Sequence, residues 1–195
     1  MDRHKTMIKT QAIILKKVPT NEYDQLITCY TQELGKITAI AKSILKKSSI
    51  QAMHLDLFNL VNFELVNGNG FPIITGAEAI DAHSKMRSSI KYLSAAFVLG
   101  EYIDKLTFEY LRDDDLWNFG VDALSQLNSG VEDIPGFLKA SQKKLLEVSG
   151  YNSDFDSLST DHNLHLALEN IAGQRLKAIT FFHRVNSLPD FLVLK

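Results

Sequence analysis

The sequence predicts an α+β protein in which a five-stranded β-barrel over residues 1–80 precedes an all-helical half over residues 81–195. Three observations predict this division. Up to residue 80 the apolar residues form short alternating runs cut by Pro, Gly and Asn, the pattern of half-buried strands. Beyond Gly76 they recur at three- and four-residue spacing, the pattern of one helix face. The charge also changes sign along the chain. Residues 1–50 hold nine Lys/Arg against four Asp/Glu, a net of +5, whereas 51–80 carry −3 and 81–195 carry −4, for −2 overall.

Each element follows in order. Thr10–Lys17, with Ala12, Ile13, Ile14 and Leu15, reads as a strand buried on both faces over part of its length. Val18-Pro19-Thr20-Asn21 reads as a turn, because Pro19 fixes its own φ and biases Val18 toward extended backbone. Asp24–Thr31 is predicted as a second strand and Lys36–Lys42 as a third, joined by a tight connection at Gln32–Gly35. Ser43–Met53 is a polar loop, Leu55–Val66 a fourth strand, and Phe71–Ala77 a fifth after the turn signal Asn67-Gly68-Asn69-Gly70. Five strands with short connections in about 80 residues suggest a small closed barrel of the oligonucleotide-binding (OB) type. Helices are predicted over Ser89–Leu106, Asp114–Leu127 and Phe137–Val148, the last opened by Pro135 and ended at Gly150. A final long helix is predicted over Asp161–Val185, with Asp161 as its cap.

The composition sets limits. A chain of 195 residues suits one large domain or two small ones, and 45% apolar with 23% charged residues is ordinary for a globular protein. No run of eighteen apolar residues predicts a membrane-spanning helix, and the N-terminus lacks the apolar core of a signal peptide. Cys29 is the only cysteine, so neither an internal disulfide nor a cysteine-rich zinc site is available, and a buried apolar role is expected for it. A cytoplasmic protein is expected.

The basic segment carries the main chemical signal. Lys16, Lys17, Lys36, Lys42, Lys46 and Lys47, displayed on one side of a barrel, would form a groove for phosphates. Tyr23 and Tyr30 would offer ring faces for bases, with plain packing as the alternative for each. A solvated basic face without a partner is the alternative for the lysines. Other constellations favour structural readings. His162-x-x-His165 lacks further ligands for a metal beyond Asp161. Asp113-Asp114-Asp115 before a helix suits a cap and the helix dipole, and Gly68-x-Gly70 suits a hairpin rather than a dinucleotide loop. No nucleophile–His–acid set is recognisable, and an enzyme is not expected.

The ordered motifs TQAIIL (10–15), EYDQL (22–26), TQELGK (31–36) and AIAK (39–42) resemble the bacterial DNA repair protein RecO family, whose pattern runs T-x-A-I-V-L, E-x-D-x-L, T-x-x-x-G-K and A-K-G. The likeness continues through Asn67–Gly70 and Ala77-Glu78-Ala79, and again at Glu101-Tyr102-Ile103-Asp104-Lys105-Leu106. The resemblance implies an OB-fold N-terminal domain and a helical C-terminal domain. It implies binding of single- and double-stranded DNA, strand annealing and indirect help in loading the recombinase RecA. It also implies RecR and the C-terminal tail of single-stranded DNA-binding protein as partners, nucleoid association during repair, and no membrane. Three departures stand out. The family's four-cysteine zinc site has no cysteines here, so no zinc or other cofactor is expected. Ser43 replaces the glycine after Ala-Lys, and the helical half is expected to be shorter at its end. The alternative function is a protein-interaction adaptor whose barrel does not bind DNA.

Overall fold

The computed structural model describes residues 7–68, 70–151 and 161–187; the side chains of Asp161 and His162 lie outside the described residues, as does Asn69. The chain divides into two compact units, residues 1–82 with 107–113 and residues 83–106 with 114–195.

The first unit is a closed barrel of β1 (Met7–Pro19), β2 (Gln25–Thr31), β3 (Gly35–Ala41), β4 (Leu60–Val66) and β5 (Ile73–Asp81), in spatial order β1-β2-β3-β5-β4. This is the five-stranded OB architecture that the strand pattern predicts. β1 serves two neighbours: Met7–Ile13 pair antiparallel with β4, and Ala12–Pro19 with β2. A register shift between Ile14 and Lys16 bends β1 where it passes from one partner to the other. Closure needs only a short parallel contact, Ile40 with Ile73 and Ala41 with Ile74. Alternate residues of β2 and β3 (Ile27, Cys29, Ile37, Ala39) turn inward to meet Ile14, Val61, Phe63 and Leu65 in the core.

Strand limits differ from the sequence reading mainly in three strands. β1 runs from Met7 to Pro19 rather than from Thr10 to Lys17: Val18 and Pro19, expected in a turn, pair with Leu26 and Gln25, since proline is tolerated at a strand end. β4 begins at Leu60 rather than Leu55, because Phe58 adopts a left-handed φ of 63° that extended backbone cannot continue through. The apolar residues just before it serve an irregular loop instead: Leu55 and Phe58 are buried, and the Phe58 N–H donates to the Ile14 carbonyl at 2.7 Å. β5 runs on to Asp81, since pairing with β4 outweighs the weak strand preference of Ala-Glu-Ala.

Residues 107–113 also belong to the barrel unit, which a single boundary near residue 80 does not anticipate. The Tyr110 N–H donates to the Lys36 carbonyl at 2.9 Å, the Tyr30 hydroxyl to the Asp113 carbonyl at 3.3 Å, and Arg112 pairs with Glu33 at 3.1 Å. Gly35 makes this approach possible. Its φ is +66°, and a Cβ there would overlap the Leu111 carbonyl.

The second unit contains α1 (Ser84–Arg87), α2 (Ile90–Leu106), α3 (Asp114–Ser129), α4 (Ile134–Val148), α5 (Asp161–Ala172) and α6 (Ala178–Asn186). α2 packs against all five others. Its buried Ser94, Ala95, Ala96 and Gly100 are small enough to let neighbours approach. Asp133 caps α4, its side chain accepting from the Gly136 N–H at 2.9 Å, with Pro135 in the first turn.

The single long helix expected over 161–185 is instead two. Gly173 takes a left-handed φ of 63° and ends α5. α6 then starts without a capping side chain of its own. Glu101 of α2 supplies the cap, its carboxylate accepting from the N–H groups of Lys177 at 3.0 Å and Ala178 at 2.7 Å. Glu169 accepts from the Leu176 N–H at 2.8 Å. Replacing Glu101 with Ala is expected to cost about 2 kcal/mol, because two donors are left without a charged acceptor. Chemical denaturation checks this, and a change below a few tenths would show that the cap does not hold α6.

Candidate nucleic-acid interface

The turn between β1 and β2 is built by local chemistry. The Asn21 carboxamide oxygen accepts from the N–H groups of Tyr23 at 2.9 Å and Asp24 at 2.8 Å, an Asx turn. Asp24 then ties this turn to the loop after β3, its carboxylate accepting from the Ser43 N–H at 2.6 Å and from the Asn21 side chain at 3.0 Å. Those bonds, the Asn21 one first, hold the Asp24 carboxyl below its ordinary range, with smaller help from Lys42 and Lys46. The Leu45 N–H donates to the Tyr23 carbonyl at 2.9 Å and completes the join.

Ser43 takes a left-handed φ of 56°, so the chain keeps at this position a backbone that glycine adopts without strain. The Asp24 bond is to the Ser43 backbone and survives removal of the side chain. Ser43→Gly is therefore expected to leave stability unchanged or raise it by up to about 1 kcal/mol, strain relief exceeding the gain in unfolded-chain entropy. Ser43→Val is expected to lower it by roughly 1–2 kcal/mol. Thermal or chemical unfolding of the pair distinguishes the two directions.

The join brings several predicted residues together. The Lys46 ammonium lies over the Tyr23 ring, 5.1 Å from its centroid. Tyr23 is 42% exposed. Its hydroxyl donates to Glu22 at 2.7 Å, and that bond raises its pKa above the ordinary phenol value. Lys42 and Lys47 are exposed in the same β3–β4 loop. Lys16 is exposed on β1, opposite Thr28, midway along the β1–β2 ladder. Lys17 is beside it, opposite Ile27, but pairs with Asp56 at 2.9 Å with only 22% of its side chain exposed.

Two predicted residues fall elsewhere. Lys36 sits at the start of β3 opposite Tyr30, six residues and roughly 20 Å of strand from Lys42. It is half-buried beside Glu109 and Tyr110, so of the six lysines Lys42, Lys46 and Lys47 share the β3–β4 loop, Lys16 and Lys17 lie midway along the β1–β2 ladder, and Lys36 stands at the far end of β3. Tyr30 is fully buried and offers no face to a base. The reason is the return of residues 107–113, whose Asp113 carbonyl takes its hydroxyl. Cys29 is buried in the core as expected, and burial pushes its thiol pKa up.

Sequence reading passed over several neighbouring residues. Asp24 clamps the two loops, and the signal for it was Asn21-x-x-Asp24, an Asx-turn spacing. Ile50 and Met53 are large apolar residues left exposed in the lysine-bearing loop. Three carboxylates lie against the predicted residues: Glu22 takes the Tyr23 hydroxyl, Asp24 feels Lys42 and Lys46, and Asp56 pairs with Lys17. Among the described residues no group of three or more His, Cys, Asp or Glu side chains is placed to hold a metal ion, and no helix is long and apolar enough to cross a membrane.

Residues 5–83 match the family model described as recombination protein O, N terminal. The chain is 28% identical over 166 residues to the DNA repair protein RecO of Dehalococcoides mccartyi (strain ATCC BAA-2266 / KCTC 15142 / 195), covering 83% of this chain and 64% of that protein. It is 30% identical over 151 residues to the DNA repair protein RecO of Shouchella clausii (strain KSM-K16), covering 77% of this chain and 59% of that protein. It is 29% identical over 143 residues to the DNA repair protein RecO of Roseiflexus sp. (strain RS-1), covering 73% and 50%. The chain thus spans about three-fifths of the length of the first two of these relatives.

Proposed function

We propose that the chain, similar to the RecO family through its N-terminal domain, is a member of that family, that its barrel binds DNA without sequence preference and that it acts as a recombination mediator in DNA repair. In this reading Lys16, Lys42, Lys46 and Lys47 lie along phosphates, and Tyr23 offers a ring face to an unpaired base. The single observation that carries it is the junction of the β1–β2 turn with the β3–β4 loop, which gathers Tyr23, Lys42 and Lys46. Single and double strands both present the phosphates this end would meet, and held single strands would anneal. The helical unit would contact proteins: RecR, the C-terminal tail of single-stranded DNA-binding protein and, indirectly, RecA. The work is non-catalytic and cytoplasmic, at the nucleoid.

The test is binding and annealing with labelled oligonucleotides of unrelated sequence. Affinities are expected to agree within about twofold across sequences, since phosphate contacts carry no base information. Complementary strands are expected to pair faster with the protein than without it. A strong preference for one sequence would contradict the reading.

A second reading has one observation in its favour, the three carboxylates among the lysines, which reduce the local positive charge. Here the barrel is an adaptor for proteins. Capture of a RecR-like partner with no shift of any oligonucleotide would select it.

A further inference from the structure

Ile50 and Met53 are 80% and 70% exposed, in the same loop that carries Lys42, Lys46 and Lys47. Side chains of this kind leave water wherever the backbone lets them. Here the inward positions are already filled: Ile44 and Leu55 enter the barrel core and Ala52 packs against it. The loop is also pinned. Besides the Leu45–Tyr23 bond, the Gln51 side chain donates to the Thr75 carbonyl at 3.3 Å. The Asn59 carboxamide donates to the carbonyls of Met53 at 3.1 Å and His54 at 2.9 Å, and His54 Nδ1 accepts from the Ala79 N–H at 3.2 Å. Ile50 and Met53 therefore project from a fixed base. Ile50 lies four residues from Lys46, a backbone reach of at most about 14 Å.

Exposed Ile and Met beside lysines match the chemistry of a base-stack wedge. Such side chains pack on or between base planes while cations hold the flanking phosphates. Inside an intact duplex, insertion must first unstack a base step. Where a duplex opens into single strand, the face of the last pair is already bare, and Tyr23 stands beside the lysines to take an unpaired base. We propose that Ile50 and Met53 form an apolar wedge that packs on the terminal base pair of a duplex where it opens into single strand, which makes such junctions the preferred substrate class of this end of the barrel. The proposal rests on the reading that this end binds DNA.

The experiment uses the full chain and three labelled DNAs of equal length: a single strand, a blunt duplex and a partial duplex with one single-stranded arm. The unaltered protein is expected to bind the partial duplex about fivefold or more tighter than either other DNA, in keeping with one stacking interaction. The double variant Ile50→Ser, Met53→Ser is expected to lose that preference while its single-strand affinity stays within about twofold, because both side chains lie outside the core. Equal binding of all three DNAs by the unaltered protein overturns the wedge, and so does a preference that survives in the double variant. Binding of none of the three overturns the DNA reading itself, so the two failures are distinguishable.

Discussion

Replacing Lys42, Lys46 and Lys47 together with Glu is expected to weaken single-strand binding on the order of a hundredfold at low salt, from roughly fivefold for each lysine–phosphate pairing removed. The weakening is expected to be the same for unrelated sequences. The fold has little reason to change. All three side chains are exposed, and Ile44 and Leu55 anchor the loop in the core. Lys46 also gives up its place over the Tyr23 ring, so the aromatic face is deprived of its cationic lid at the same time. Lys36→Glu provides the internal contrast. It makes the same kind of charge change at the far end of β3, and is expected to shift affinity by no more than about twofold. If Lys36→Glu matched the triple variant, the assignment of one basic end would be wrong. Anisotropy titrations, with circular dichroism to confirm folding, decide the matter.

Gly35→Ala is expected to be the most damaging small change in the barrel unit, costing on the order of 3 kcal/mol. Two effects combine. The φ of +66° strains any L side chain, and the added Cβ falls on the Leu111 carbonyl, a backbone atom that cannot rotate away. Gly173→Ala separates them: Gly173 has a φ of +63° and open space at its Cβ, so only the backbone strain of roughly 1 kcal/mol applies. The excess at Gly35 measures the close approach of residues 107–113. Amide exchange supplies a second readout. The Tyr110 N–H, bonded to the Lys36 carbonyl, is expected to lose protection in Gly35→Ala and to keep it in Gly173→Ala. Equal destabilisation by both substitutions would mean that the returning segment contributes nothing to the barrel.

These two cases mark where the sequence was readable. β2 and β3 announced themselves through alternation, because Ile27, Cys29, Ile37 and Ala39 share one inner face, and β1 through its continuous apolar run Ala12–Leu15. α2, α3 and α4 were legible through buried apolar residues recurring at helical spacing, whereas the short α1 carried no such pattern. What escaped depends on residues far apart in the chain. The break between α5 and α6 is stabilised by Glu101, more than seventy positions away from Lys177. Tyr30 looked like an available ring because its cover, residues 107–113, sits in what reads as the helical half. The lysine set divided because Lys36 stands near the start of β3 and Lys42 follows its last residue. Charge counting along a sequence does not record which end of a barrel a residue reaches. By contrast, the Tyr23–Lys46 pairing needed a loop-to-loop bond, Leu45 to Tyr23, that no periodicity encodes.

The salt dependence of single-strand binding tests the central claim most directly. About four lysine–phosphate contacts on a single strand predict a slope near −3 when log affinity is plotted against log salt concentration, falling to about −1 in the Lys42, Lys46, Lys47 triple variant. Affinity that ignores salt, or a slope that the triple variant leaves unchanged, would contradict it.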